Sequence, residues 1–399
     1  MYIINTDILI IGGGIAGLWL HNRLNQMGYH AMLVDKSGLG GGQTFSSQGI
    51  IHGGVKYTLS GLLSKSATAI SDMPNRWRDC LQGNGEVNLS QAKILSPHQL
   101  MWSTSQLSSK MTAFFSSKAL SSKISPLEKN KWPDFFQDKK FQGKLYQLQE
   151  PVLDIPGVVA CLSQKWQQRI FQLTPNTDIN FNGQNKISSS LLIGDKINIK
   201  AKQYVLAAGE GNEQLLNTLG LSSTKMQRRP LHMVLVKGKN LPRLYAHCIG
   251  ASARPIATIT THQHSDGELV WYIGGNIAEQ GVDISREDQI THTQKVITEI
   301  LPWANLKNTS WATHRVNRAE PLQKSFIKPD TAFLKSINNI HIAWPTKLAL
   351  APDLSDRIIS QFKKQNLAPG GHHDTDTTEL TDFIKPATIA KPLWERKFL

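Results

Sequence analysis

The stretch SSQGIIHGGVKY, residues 46–57, gathers serines, glycines, a histidine and a Lys-Tyr pair into one short segment. Ser46 and Ser47 offer hydroxyls, His52 an imidazole that titrates near neutrality, Lys56 a cation and Tyr57 a phenol. Together they could bind an anion, move a proton and leave bare backbone against a flat ligand. A tight hairpin would use the glycines too, but it has no need of a histidine framed by Ile51 and Gly53-Gly54. For His52 a loop histidine held by backbone stays open beside a catalytic role.

What stands before this stretch must position it. Asp7-Ile8-Leu9-Ile10-Ile11 is an apolar, β-branched run of strand length, and Gly12-Gly13-Gly14-Ile15-Ala16-Gly17 follows directly as G-x-G-x-x-G. A helix through Leu18 to Leu24 then runs towards Gly28, and Ala31 to Val34 reads as a second buried strand closed by Asp35. In such a βαβ unit Gly12 makes the tight turn, Gly14 admits a pyrophosphate, and Gly17 lets helix and strand pack closely. The helix N-terminus offers free N–H groups to the phosphates, and Asp35 is placed to accept hydrogen bonds from a ribose. The order strand, helix, strand and terminal acid favours a dinucleotide over a mere glycine-rich turn. After Asp35 the chain continues as a long stretch of glycine and small polar residues, where a nicotinamide enzyme would usually go on to another helix and strand. That continuation favours FAD over NAD.

At this point the sequence resembles the flavoprotein superfamily of D-amino-acid oxidase and glycerol-3-phosphate dehydrogenase, and is similar also to L-2-hydroxyglutarate dehydrogenases. Ser46, Ser47, Gly49, Ile50, Ile51, His52, Gly53, Gly54, Lys56 and Tyr57 carry the resemblance, with Lys56 where the glycerol-phosphate family has arginine. The resemblance implies that Gly12, Gly14, Ile15, Ala16, Gly17, Asp35, Lys36, Gly42, Gln43, Thr44, Ser46, Ser47 and Gly49 contact noncovalent FAD, with Lys56 and Tyr57 facing the substrate. Glycines let main chain lie against the ring, and N–H groups near its pyrimidine edge stabilise the anionic reduced form.

Three later stretches extend the likeness. Tyr204 to Gly209 reads as a strand ending in small residues, with a helix from about Asn212; the resemblance returns Ala208 and Gly209 to the cofactor. In TSWATHRVNRAEPL, Trp311-Ala312 and Arg315 fit the family's arginine-bearing strand, while Thr313 and Val316 depart from it. Arg315 is the preferred anion binder because a guanidinium presents a planar pair of donors. Arg318 is the alternative, unless Arg318 and Glu320 form a structural ion pair. Finally Ile340 to Ala343 reads as a strand, Pro345-Thr346 as a turn and Leu348 to Phe362 as a helix. Its N-terminus would point at the flavin, bringing Thr346, Lys347 and Leu348 to it, with Lys347 also expected in catalysis.

Between these motifs lie less specific segments. Residues 58–150 read as part of a substrate cap, including a Ser-rich stretch at 103–125, with Leu145 to Ile155 leading into a helix over Pro156 to Phe171. HMVLVKG, RPIATITTH and ELVWYIGGN are β-rich runs of an antiparallel sheet, and SREDQITHTQKVITEILPW is a packing helix with a capping-box start at Ser285 and Asp288. His232, in the first of these strands, is the second candidate for catalytic base.

The 399 residues carry 44 Lys and Arg against 30 Asp and Glu, a net charge of +14, with 40% hydrophobic content. This excludes wholesale disorder and fibrous classes. The charge could serve nucleic acid, for example tRNA, an anionic membrane surface or an anionic small substrate, but lysines are scattered rather than blocked, so general solubility is the favoured reading and nucleic acid a weak alternative. Cys80, Cys161 and Cys248 are few and far apart, which argues against a disulfide framework or zinc cluster and for a cytoplasmic protein with noncovalent FAD. The run Ile8 to Leu20 is glycine-interrupted and too short to span a bilayer, and no leader is expected. His372, His373 and Asp374 are adjacent in a polar tail, and no metal is expected there. The ending KPLWERKFL could draw the protein weakly to the anionic inner face of a membrane.

The expected architecture is therefore α/β, a Rossmann-like FAD-binding domain with an inserted antiparallel β-sheet cap. FAD-binding segments are assigned to 1–80, 151–222 and 323–365, cap segments to 81–150 and 223–322, and a tail to 366–399. The expected function is FAD-dependent oxidation of a small anionic 2-hydroxy acid or glycerol-phosphate-like substrate, with quinone or O2 as electron acceptor. The alternative is an amine or amino-acid oxidase of the same fold.

Overall fold

A computed structural model describes residues 2–54, 69–103, 124–173, 179–182, 190–193, 197–221, 223–250, 255–322, 331–370 and 384–398. Lys56, Tyr57, His372, His373, Asp374 and most of the Ser-rich stretch lie outside the described residues.

The apolar run at the start forms the strand Tyr2–Ile11, with Ile8, Leu9 and Ile10 fully buried. Its second half, Ile8 to Ile11, is apolar at every position and so must be covered on both faces, and the alternating side chains show how. Ile8 and Ile10 join a core with the helix Ile15–Gln26, whereas Leu9 and Ile11 join a second core with Leu215, Leu216 and Leu219. This strand pairs in parallel with Ala31–Asp35 on one side and Ile197–Leu206 on the other. Beyond them lie Ile340–Trp344 and Ile170–Gln172, also parallel, giving the centre of a nine-stranded sheet among the described residues. The strands come from distant parts of the chain, so the cofactor half is discontinuous.

The second sheet holds eight described strands, from Ser310–Pro321 through Met226–Gly238, Leu269–Gly274, Pro255–Gln263 and Ala246–Ile249 to Gln99–Ser103, Leu145–Leu148 and Ile124–Pro126. Its pairs are antiparallel except that between Ala246–Ile249 and Gln99–Ser103. Helix Arg286–Ile300 begins as expected, with the Ser285 hydroxyl accepting from the Asp288 amide at 3.0 Å.

Three expectations are corrected. The helix read over Pro156 to Phe171 is Ile155–Gln164, capped by Asp154; Ile170–Gln172 is instead a buried strand on Ala31–Asp35. The apolar spacing of Ile170 and Phe171 suits either element, and parallel pairing decided it. Residues 145–155, read as a lead-in, contain the strands Leu145–Leu148 and Val152–Leu153. Leu81, Val87, Leu89 and Ala92 are buried in the core that holds the first helix, and the first described strand of the second sheet is Gln99–Ser103. The helix read from Leu348 starts with a 3-10 turn, Leu348–Leu350, and becomes α-helical over Ala351–Lys364.

The segment assigned as a tail is anchored at both sheets. Lys385–Pro386 pairs with Ile170–Gln172, and the short helix Leu393–Lys397 buries Leu393 and Trp394 on the cap. Those apolar side chains are committed to the protein's own core rather than offered to a lipid surface.

Burial also sets a pH dependence. His21, in the first helix, is lowered from 6.5 to about 3 by loss of solvation; the same cause lowers His262 to about 3 and His341 to about 4. Each stays neutral in the fold and takes up a proton near pH 6.5 once unfolded, so stability is full above that pH and is lost as pH falls towards 4. By pH 5 each should cost about 2 kcal/mol. The melting temperature of the holoprotein should therefore drop steeply between pH 7 and 5, and His21→Leu should make the drop shallower; parallel curves for the two proteins would count against this.

Candidate FAD and substrate site

The two sheets enclose a cavity of about 1320 Å³. On the nucleotide side its walls are Gly12, Gly14, Ile15, Ala16, Asp35, Lys36, Gly42, Gln43 and Thr44. Ser46, Ser47, Gly49, Ala208, Gly209, Thr346, Lys347 and Leu348 border it further along. Gly12 has φ +119°, and a Cβ there would lie 2.5 Å from the carbonyl oxygen of Ala207. Gly17 does not line the cavity; a Cβ on it would run into the carbonyl oxygen of Gly12, so it lets helix and strand touch.

The first helix has no side-chain cap of its own at Gly14 and no acid in its first turn. Thr44 partly replaces the cap, its hydroxyl accepting from the Ile15 amide at 3.0 Å. The remaining N-terminal amides and the dipole favour an anion there. Asp35 accepts from the Gly13 amide through one oxygen and from the Ser37 amide through the other, each at 2.7 Å. Burial nonetheless holds its carboxyl above the ordinary range. The Gly38 amide also acts on this carboxyl, and with about four lone-pair sites on its two oxygens it can still accept from a hydroxyl. These features fit the pyrophosphate and ribose of FAD.

Asn212, which sequence reading did not single out, fixes the far wall. Its amide group donates to Leu206 O and Ala343 O, and its oxygen accepts from the Ala208 amide, joining two strand ends at the cavity floor. Trp344 donates to Gly209 O at 2.9 Å. Thr346 takes φ +60°, a left-handed conformation that turns the chain so that Lys347 borders the cavity.

The loop from Gly42 to Gly54 is gripped from the cap side. Gln48 donates to Thr258 O and Tyr272 O, and the Tyr272 hydroxyl donates to Ser46 O. Ser46 Oγ lies 3.0 Å from His314 Nε2. Burial first, and then the charges of Lys397 and Arg396, lower His314 to about 4, so the imidazole is neutral.

His52 lines the same cavity, and its Nδ1 lies 3.0 Å from Glu150 Oε2. Glu150 is 2% exposed and accepts from the Gly53 amide through its other oxygen at 2.8 Å. A buried carboxylate acceptor fixes the proton on Nδ1 and makes Nε2 the basic nitrogen. Glu150 was not among the residues picked from the sequence, because nothing near it suggests that it crosses 98 positions to reach a histidine. His247 stacks on His52 at 6.3 Å, and His52, Glu150 and His247 form a group of metal-ligating types within 4.8 Å.

Three other expectations meet the geometry of the cap side. Arg315 borders the cavity, but its guanidinium donates to the carbonyls of Val282 and Ile284. His232, the second candidate base, lies opposite Arg315 in the strand pair, bonds Gly281 O through Nδ1 and is not among the lining residues. Alternation along a strand puts its neighbour Met233, and His314 opposite Met233, on the cavity side instead. Arg318 lies 3.9 Å from Glu279, and Glu320 pairs with Arg229, so the suggested Arg318–Glu320 pair does not form. None of the three cysteines lines the cavity, and burial raises Cys80 to about 11 and Cys248 to about 12.

Residues 7–316 match the model of the family of FAD dependent oxidoreductases known as DAO. The chain belongs to this family. It is 43% identical over 396 residues to the probable FAD-dependent oxidoreductase PA4991 of Pseudomonas aeruginosa, covering 99% of each chain. The crystal structure of that protein superposes with a TM-score of 0.86 over 99% of both chains, at 39% identity. Two more distant structures share the fold. L-alpha-glycerophosphate oxidase from Mycoplasma pneumoniae with FAD bound gives a TM-score of 0.63 at 15% identity, covering 90% of this chain and 95% of that one. Glycine oxidase from Geobacillus kaustophilus gives 0.61 at 12%, covering 94% and 98%. The protein is thus an FAD-dependent oxidoreductase with the expected mixed α/β fold, and no described helix is long and apolar enough to cross a membrane.

The close contact at Gly17 yields a direct test. Gly17→Ala should remove bound FAD, seen as loss of the visible flavin spectrum and no recovery on adding FAD; a yellow, fully loaded variant would contradict the proposed phosphate cradle.

Proposed function

We propose that the protein oxidises a small anionic substrate at a carbon bearing a hydroxyl, a 2-hydroxy acid or a glycerol-phosphate-like compound, with quinone or dioxygen as the final electron acceptor. The observation that carries this reading is the His52–Glu150 pair at the cavity wall. An alcohol holds its O–H proton tightly, so its oxidation needs a base positioned to take that proton as the C–H bond breaks. An amine can shed its extra proton to water beforehand and has less need of one.

When bound, FAD supplies the acceptor for the two electrons and the hydrogen removed from carbon. The chain supplies the rest. His52 Nε2 takes the hydroxyl proton, while Glu150 holds the ring and stabilises the imidazolium that results. Lys347, Arg318 and Arg315 border the cavity as cations, and the net charge of +14 favours approach of an anion. Lys56 and Tyr57 remain proposed substrate contacts from the motif they share with the glycerol-phosphate family.

Oxidation at CH–NH is the competing reading, since structural neighbours include an amino-acid oxidase type as well as a glycerophosphate oxidase. A panel of 2-hydroxy acids, glycerol phosphates and amino acids, scored by anaerobic bleaching of the flavin, separates the two. Hydroxy compounds should bleach it, and His52→Gln should slow that bleaching by roughly 10²–10⁴-fold, the usual range for a general base. Bleaching by amino acids alone, unaffected by His52→Gln, would overturn the proposal.

A further inference from the structure

The last described helix, Leu393–Lys397, has no role in the reading so far, yet Arg396 lines the cavity. Its placement is built rather than incidental. Leu393 and Trp394 are buried beside Met233, Leu235 and Tyr272 of the cap sheet, and Trp394 stacks on His262 with ring centres 4.0 Å apart and planes 14° apart. The Glu395 carboxylate accepts from the amide and hydroxyl of Ser265 at 2.8 and 2.7 Å, which fixes the helix from its other side. Arg396, between these anchors and the cavity, is exposed and has no carboxylate partner among the described residues.

Among the described residues, the groups coupled electrostatically to Arg396 include His314 and the cation Lys397. The charge of Arg396 and that of Lys397 reach His314, which in turn touches Ser46 of the cofactor loop. Arg286 and Arg396 both act on Lys397. Glu395, the nearest acid in sequence, is already engaged by Ser265 and lies 3.5 Å from His264. A guanidinium at a cavity wall, with a like charge coupled to it and its neighbouring acid occupied, is a site for an anion brought by the ligand. Arg315, in contrast, has both terminal guanidinium nitrogens on backbone carbonyls.

We propose that Arg396 is a specificity residue that pairs with the carboxylate or phosphate at the end of the substrate remote from the reacting carbon, so that the protein selects dianionic over monoanionic substrates. This rests on the reading of the cavity as a substrate site. It assigns the anchored helix a purpose that the FAD fold itself does not need.

The test uses non-reacting probes and the holoprotein, read as perturbation of the flavin spectrum. Glutarate and glycerol 2-phosphate supply a remote anion, and butyrate is the monoanionic control. Wild type should bind glutarate more tightly than butyrate. Arg396→Leu should weaken glutarate about tenfold or more, the scale of a lost charge-assisted hydrogen bond, and leave butyrate unchanged. Arg396→Lys should restore part of the loss. Trp394→Ala, which removes the stacking anchor and leaves the cation, should weaken glutarate without changing FAD affinity. Equal glutarate affinity in wild type and Arg396→Leu, or no preference of wild type for either dianion over butyrate, would overturn the assignment. Failure of the oxidation reading shows separately, as anions that bind but hydroxy compounds that never bleach the flavin.

Discussion

A carboxylate removed from water must be given hydrogen bonds, and Glu150 at 2% exposure receives them from the His52 ring and the Gly53 amide. Leaving such a charge unpaired costs several kcal/mol, on the order of the whole stability margin of a domain. Moving the loop away from Glu150 would break both of these hydrogen bonds. Glu150 itself follows the cap strand Leu145–Leu148, and the Ile51 amide donates to Pro151 O at 2.9 Å, so the FAD loop is stitched to the chain that leaves the cap. One buried group thereby fixes the orientation of the His52 ring, the path of the glycine-rich backbone and the junction between the two sheets.

The same loop is held from the opposite flank by Gln48 and Tyr272, and its start by Ser46 against His314. Cofactor loop and substrate wall are thus one hydrogen-bonded unit. In a site where a base must stand within roughly 3 Å of a proton, positions held by backbone hydrogen bonds serve better than side chains on a mobile rim. The anchored helix Leu393–Lys397 extends this arrangement, adding a wall from a segment distant in sequence.

How much of this was legible depended on range. The βαβ unit was readable because its signals are local: Gly12, Gly14 and Gly17 sit at fixed offsets between two apolar strands, and Asp35 closes the second. The cap strands were readable from their β-rich runs, and the capped helix at Ser285 from its first turn. Glu150 was not, because its meaning comes from His52, which is remote in sequence. His232 and Met233 are neighbours, and no composition rule says which of two adjacent strand residues faces the cavity; in the folded sheet it is Met233. Ile170 was read as helix because a short apolar run carries no period of its own. Leu393 and Trp394 looked like a tail until His262 and Met233 gave them a surface to bury against.

The central claim is that a buried carboxylate prepares His52 to take a proton from the substrate. Glu150→Gln keeps the size of the side chain and removes its charge. Its rate of anaerobic flavin reduction by the best hydroxy substrate should fall on the order of a hundredfold or more, as when a base loses its orienting carboxylate, while FAD affinity stays at the wild-type value. Wild-type reduction rates in that variant, with FAD bound, would contradict the account.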